Sequence, residues 1–452
     1  MQEESKLQFH PDAVARFDQL AQEILQSVSS FGPAEPSPAV TSELHPVVEI
    51  PAGDIIGEIK VQRSAVNRLG DEVGRYWDSK GLRVGWEHEG FERIKELAGR
   101  FETAAPIKGQ VSHTFLCDEV FNWLRATLEL ERNDSLSNYI AGRCSVVIED
   151  HEIWIPVHQT YSAQDFALGD VEFRRLSKAM MEEWFGRFFP EGIKDPGAAY
   201  AINRERSQMQ GCIAARIRVK AERQKAREIA QIAANEAVGL LRFLSHVNWT
   251  CRIVSYCAPL GRQSSLLSVE LFVKDGSIVN SNKEAIDQGP PGWNVDDARA
   301  LSPGLLEAMQ VLATDRRSTE FRRDLYDALQ LYSRNSVATS VSHKMVFVIA
   351  AIESLLLKDS SEPIQKNLGE RMAFIAGKTL EERKPIVANV EEFYRIRSRL
   401  IHHGREATAT DIEVIDRFFF NVWWTFRHLI VSVEQYKTKA QLISALEDRK
   451  LS

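Results

Sequence analysis

The sequence predicts an α+β protein, a mixed α/β N-terminal region followed by an all-α helical-bundle C-terminal domain. Three observations lead there. Between residues 41 and 300, strand-like runs alternate with helical periodicity; the clearest is LLSVELFVKDGSIVNS, in which Asp275 and Gly276 separate two β-rich runs as a two-residue hairpin turn requires. From Ser302 onward strand patterns vanish and apolar residues recur at helical spacing. At 452 residues the chain also exceeds the size at which one hydrophobic core grows efficiently, so more than one domain is expected. The expected divisions are 1–40, a helix and a Pro/Ser-rich linker; 41–300, a mixed regulatory or sensing region with a break near 200; and 301–452, the helical domain.

Taken in order, Phe9 to Val28 has the apolar spacing of a helix, and SSFGPAEPSPAVTSELHP after it cannot continue one. Val47 to Val61 suggests strands turning at Ala52 and Gly53. CSVVIEDHEIWIPV, Cys144 to Val157, reads as a hairpin turning near Asp150 and His151. CIAARIRVKAE, from Cys212, alternates as a half-exposed strand does, then switches near Glu222 to the helical pattern of ERQKAREIAQIAANEAVGLLRFL. Arg216, Arg218, Lys220, Arg223, Lys225 and Arg227 cluster at that switch, as a solvated face or as a patch guiding RNA. After GPPGW, Gly289 to Trp293, the helices expected are Phe321–Tyr332, Ser340–Leu357, Ile364–Ala376, Glu381–Ile401, Asp411–Tyr436 and a short one after Thr438. Thr410 with Glu413 three residues on reads as a capping box, and Gly404 as the C′ residue ending the helix before it. The FFFNVWWTF run has too many aromatics for one solvated face.

A formal net charge of −7 and a pI near 6.0 argue against a protein that coats nucleic acid nonspecifically, so any RNA contact must be local. The five cysteines are scattered, with no CxxC pair and no histidine at metal-ligand spacing, which fits reduced thiols in a cytoplasmic protein and no metal site. His151 and His158 flank a strand-like run without further ligands at zinc spacing, and no phosphate-binding glycine loop occurs, so no cofactor is expected. The N-terminus MQEESKLQFHP lacks the basic start and apolar stretch of a signal peptide, and runs such as Met345–Ile352 are too short to cross a bilayer; no membrane partner is expected.

The most specific segment is FYRIRSRLIHHGRE, Phe393 to Glu406. Four arginines and two histidines fall between Arg395 and Arg405 with no acid among them. Arginine offers an always charged donor fork for phosphate oxygens, and a histidine in the last turn of a helix is favoured as imidazolium by the helix dipole, which suits a general acid. On a regular helix Arg397 and His402 are separated by about 7.5 Å along the axis and about 140° around it, so either the helix end distorts or a second chain contributes. Glu353, flanked by Ile349, Ile352 and Leu356, is expected to pair with Arg397 or Arg399.

MVFVIAAIESLLL with its Glu353, the LGERMAFIAG helix, and YRIRSRLIHHG, with its Tyr-x-x-Arg-polar-x-x-x-His-Gly pattern, together resemble the HEPN superfamily, and within it the ApeA-like HEPN domains of bacterial anti-phage and abortive-infection proteins. The resemblance spans roughly residues 305 to 436. It implies a homodimer whose facing motifs form one metal-independent endoribonuclease site, with Arg397 and His402 as catalytic residues. Ser398 takes the polar second position, where many members carry Asn or Asp. Supporting roles fall to Ser398, His403, Arg399, Tyr394 and Glu353, and RNA binding to Arg395 and Arg405. The implied partners are an RNA substrate, a second copy through the helical domain, and a phage-derived trigger or an antitoxin. The alternative is a noncatalytic HEPN module that dimerises or holds RNA and acts through a partner.

Overall fold

The computed structural model describes residues 7–33, 63–189, 192, 194–255, 257–260, 266–274, 277–285, 293–359, 361–403 and 407–451. The chain forms two compact units, Met1–His151 with Val219–Ile229, and Glu152–Arg218 with Ala230–Ser452. The N-terminal region carries antiparallel sheets and the C-terminal part is helical, so the α+β expectation holds.

In the first unit, α1 (Pro11–Gln26) starts where His10 accepts the Asp12 N–H and Pro11 presets the first turn, and it turns Phe17, Ala21 and Ile24 inward. β1 (Ser29–Pro33), β2 (Arg63–Val66), β3 (Glu72–Ser79) and β4 (Leu82–Glu87) form an antiparallel sheet in the order β1-β4-β3-β2. The β3–β4 turn puts both Lys80 and Gly81 at positive φ, the twist that suits a two-residue hairpin. Gly85 has no alternative: a Cβ there would lie 2.0 Å from the Arg75 carbonyl oxygen. α2 (Glu89–Glu102), α3 (His113–Leu128) and α4 (Leu136–Val147) share with this sheet one core that includes Trp77, Trp86, Phe101 and Phe121.

The expected hairpin over Cys144–Val157 is therefore corrected. Its first half ends α4, because Ser135 caps that helix and Leu136, Ile140 and Cys144, four residues apart, bury one face; only β5 (Glu149–Pro156) is strand. The Pro/Ser-rich segment begins as β1 paired to β4, and its remainder, like Val47–Val61, lies outside the described residues.

The second unit contains β6 (Thr160–Tyr161), β7 (Phe166–Leu168), β8 (Val171–Arg175), α5 (Lys178–Phe188) and α6 (Pro196–Met209). β9 (Ile213–Ala221) gives way to α7 (Arg223–Phe243) at Glu222, as the change of period predicts; Glu222 accepts the N–H groups of Gln224 and Lys225 and so caps the new helix. The larger sheet runs β5-β9-β8-β7. β10 (Leu266–Lys274) and β11 (Ser277–Ala285) pair antiparallel with Lys274 opposite Ser277, which leaves two residues between them as expected for Asp275 and Gly276; those two lie outside the described residues. β12 (Trp293–Asn294) pairs with β6.

The helices that follow are α8 (Val295–Leu301), α9 (Leu305–Thr314), α10 (Glu320–Ser333), α11 (Val341–Leu356), α12 (Ile364–Ala376), α13 (Leu380–His403), α14 (Ala409–Val431) and α15 (Lys439–Leu451). The helical segment does not own a separate core. Phe173, Ile213, Ile217 and Leu241 belong to the same buried cluster as Met345, Phe393, Trp423 and Leu446, so the expected division near residue 300 does not coincide with a break in packing. α14 carries the centre of this cluster: Phe418 stacks on Phe393 with ring centroids 3.7 Å apart, and the Trp423 indole donates to the Phe243 carbonyl. The α14 capping box is Thr408 with Asp411, not Thr410 with Glu413. Thr408 accepts the Asp411 N–H while Asp411 accepts the Thr408 N–H, and the helix starts one half-turn earlier than the second pair allows.

Candidate nucleic-acid site at the end of α13

Helix α13 stays helical to His403. Distortion of the helix end therefore does not bring positions 397 and 402 together; on this backbone they stay about 140° apart. By helical spacing Arg395, Ser398, Arg399 and position 402 share one stripe, and Arg395, Ser398 and Arg399 are exposed. Tyr394 and Arg397 fall on a different, more buried side. The side chains of His402 and His403, and the whole of Gly404 and Arg405, lie outside the described residues.

The buried side builds from α11. Tyr394, only 7 % exposed, donates its hydroxyl to Glu353, so the partner of Glu353 is this tyrosine and neither of the expected arginines. Burial, reinforced by the Glu353 carboxylate, pushes the Tyr394 hydroxyl far above its ordinary pKa, against the opposing charge of Arg397. The phenol therefore stays a donor, and Glu353 is committed as its acceptor. Arg399 turns the other way, about 200° around the helix from Arg397, and its guanidinium meets Asp411 in the α14 capping box. Burial pulls Asp411 upward, but hydrogen bonds from Thr408 and the Arg399 charge outweigh it and hold the carboxyl below its ordinary value.

Arg397 is left between these two pairs. It is half-buried, and among the described residues it forms no ion pair and its buried Nε has no hydrogen-bond partner. An unsatisfied buried N–H costs on the order of 1–3 kcal/mol, so an added acceptor is favoured there. Arg395 stands apart, on an open groove of about 800 Å³ shared with Glu362, Lys366 and Glu391. The basic cluster at the β9–α7 switch is largely compensated: Arg216 bridges Glu152 and Glu172, Arg218 reaches Glu152, and Lys225 lies 3.6 Å from both Glu102 and Glu228. Lys220, Arg223 and Arg227 are exposed. These pairings favour the solvated-face reading of that segment.

Within the segment that the sequence singles out, the charges are distributed differently from the expectation. Thr408-x-x-Asp411 is the signal that identifies the Arg399 partner. The three-residue spacing of Tyr394 and Arg397 is the signal that both leave the helix on one side. Among the described residues no group of three or more His, Cys, Asp or Glu side chains is placed to hold a metal ion, and no helix is long and apolar enough to cross a membrane. No family model, curated protein or solved structure matches the chain.

Proposed function

We propose that the chain is a metal-independent endoribonuclease effector of the HEPN type, acting in the cytoplasm in anti-phage defence or as a toxin, with a site shared between two copies. The observation that supports this most is Arg397, whose Nε lacks a partner among the described residues while its neighbours Tyr394 and Arg399 are already engaged. A phosphate oxygen is the acceptor that a guanidinium fork fits best. In the proposed reaction a ribose 2′-hydroxyl attacks phosphorus and loses its proton to water, the bond to the 5′ oxygen breaks, and His402 gives that oxygen a proton. Arg397 balances the charge on the phosphorane. The products are a 2′,3′-cyclic phosphate and a free 5′-hydroxyl.

The unbroken helical end of α13 favours a trans arrangement, in which Arg397 of one protomer works with the partner subunit's His402, because the two positions diverge within one chain. The test is cleavage of total RNA and transfer RNA in EDTA by the wild type, Arg397→Ala and His402→Ala, with product ends mapped and oligomeric mass recorded. Cleavage that survives EDTA, ends in cyclic phosphate and disappears in both variants is the expected result. Intact dimers of the wild type that never cut, with or without infected-cell extract, would instead leave the noncatalytic RNA-holding or dimerising module. One observation favours that second reading: Arg399, on the exposed stripe, is held by Asp411 and helps fix the start of α14.

A further inference from the structure

The second unit contains a cavity that the ribonuclease reading does not use. It has a volume of about 290 Å³ and lies among the β7–β8 turn, the middle of α7 and the loop joining α9 to α10. That is the lower end of the size range of small-ligand pockets, roughly 300–1,000 Å³. Its apolar wall is formed by Leu168, Ala237, Leu240 and Ala313. Gly169, at φ +62°, makes the tight β7–β8 turn and brings Asp170 to the rim.

The polar side divides into a satisfied part and an open part. Arg316 donates through Nη1 to Glu236 at 2.5 Å and to the Tyr326 hydroxyl at 2.8 Å, and its guanidinium lies 4.9 Å from the Tyr326 ring centroid. This triad is internally neutral. Arg317 and Asp170 line the same cavity, are exposed, and form no ion pair or side-chain hydrogen bond with any described residue, including each other. The loop that carries Arg317 is held in place: the Ser318 N–H donates to Asp315, Arg322 reaches the Asp315 carboxylate, and Thr319 caps α10. One cation and one anion therefore remain uncompensated beside an apolar wall.

A lone anion would meet Arg317 but face Asp170, and a lone cation would meet the reverse. A ligand carrying both charges satisfies both, and the wall takes its apolar body. We propose that this cavity binds a small zwitterion of amino-acid size, its carboxylate on Arg317, its ammonium on Asp170 and its side chain against Leu168, Leu240 and Ala313.

The test uses the full chain and a binding readout, so it is independent of whether the protein cuts RNA. Calorimetric titration is run with L-leucine and the other proteinogenic amino acids, then with leucinamide, which lacks the anion, and 4-methylpentanoate, which lacks the cation. The same titrations are run on Asp170→Asn and Arg317→Gln, whose exposed positions leave the core intact and whose folding is checked by circular dichroism. Saturable binding of leucine or another apolar amino acid is expected. Loss of either charge from ligand or protein should weaken it by at least ~10-fold, the scale of one charge-assisted hydrogen bond. Arg317→Gln should not weaken leucinamide further, and Asp170→Asn should not weaken 4-methylpentanoate further. Equal binding of leucine and either truncated analogue, unchanged binding in both variants, or no binding of any amino acid would overturn the proposal.

Discussion

Lys344 is an ionisable group placed where its charge is costly, and the cost can be read as a pH dependence of stability. It is 1 % exposed, and its ammonium donates to the carbonyls of Ile253 at 2.7 Å and Asn335 at 2.9 Å, neither of which carries a compensating charge. Burial lowers its pKa from 10.5 to about 8, opposed more weakly by the Asp416 carboxylate. Between these values the unfolded chain binds more protons than the folded one, so stability rises with pH across that window; below about pH 8 the full penalty applies. At 1.36 kcal/mol per pKa unit the penalty is about 3 kcal/mol. Lys344→Met removes the titration but leaves both carbonyls without their donor, a loss of similar size. The variant is therefore expected to match the wild type within ~1 kcal/mol near pH 7 and to fall about 3 kcal/mol behind it by pH 10.5. Paired urea titrations at several pH values measure this. Other lysines and tyrosines titrate in both proteins and cancel in the difference, and Cys251, pushed up to about 12, stays neutral through the window. A difference that stays flat with pH would show that Lys344 carries no such penalty.

Three further outcomes follow from the packing. Arg371, 1 % exposed, is held bidentately by Glu362 and also by the Leu356 carbonyl and Glu447; Arg371→Ala is expected to cost about 3–5 kcal/mol in denaturant melts, and a cost below ~1 kcal/mol would contradict its role as a buried clamp. Gly85→Ala drives a Cβ into the Arg75 carbonyl and should destabilise the first unit by about 3 kcal/mol or more, read from the fluorescence of Trp77 and Trp86. Asp411→Ala loses a helix cap and should cost ~1–2 kcal/mol, whereas Arg399→Ala, at a half-exposed guanidinium, should cost under ~1 kcal/mol; because the Asp411 pKa is depressed, its contribution is present above the ordinary carboxylate range and disappears as the pH falls through the lowered value.

The helices were legible where punctuation and period agreed. Pro363 before Ile364 and Gly377 after Ala376 bound α12 at both ends, and the loss of strand alternation at Glu222 marks the start of α7. The hairpin expected over Cys144–Val157 failed because a short apolar run fits strand and buried helix alike, and the burial of Leu136, Ile140 and Cys144 on one face is a tertiary fact. The β3–β4 turn was hidden because Lys80 occupies a positive-φ position that Asn or Asp would have advertised. At the site, helix rotation decided what composition could not. Arg397 and Arg399 leave α13 about 200° apart, so a single carboxylate on α11 had no way to serve both: Glu353 takes the Tyr394 hydroxyl, Arg399 meets Asp411, and Arg397 has no ion pair among the described residues.

That same rotation makes the proposed shared site testable without knowing the RNA. If Arg397 acts with the partner subunit's His402, a dimer of one Arg397→Ala chain and one His402→Ala chain keeps one intact Arg–His pair and loses the other. Random mixing of equal amounts gives roughly half mixed dimers, each keeping one of the two Arg–His pairs of the shared site, so about a quarter of wild-type cleavage should return in the mixture and about half in the purified mixed dimer, although neither variant cuts alone. A site formed within one chain predicts no recovery, because every chain in the mixture lacks one of the two groups. The measurement is co-expression of the two variants with separate affinity tags, sequential purification of the mixed dimer, and its cleavage rate beside each homodimer. Mixed dimers that form in the expected yield and remain inactive would refute the trans pairing and return the burden to a rearrangement of α13 beyond Leu400.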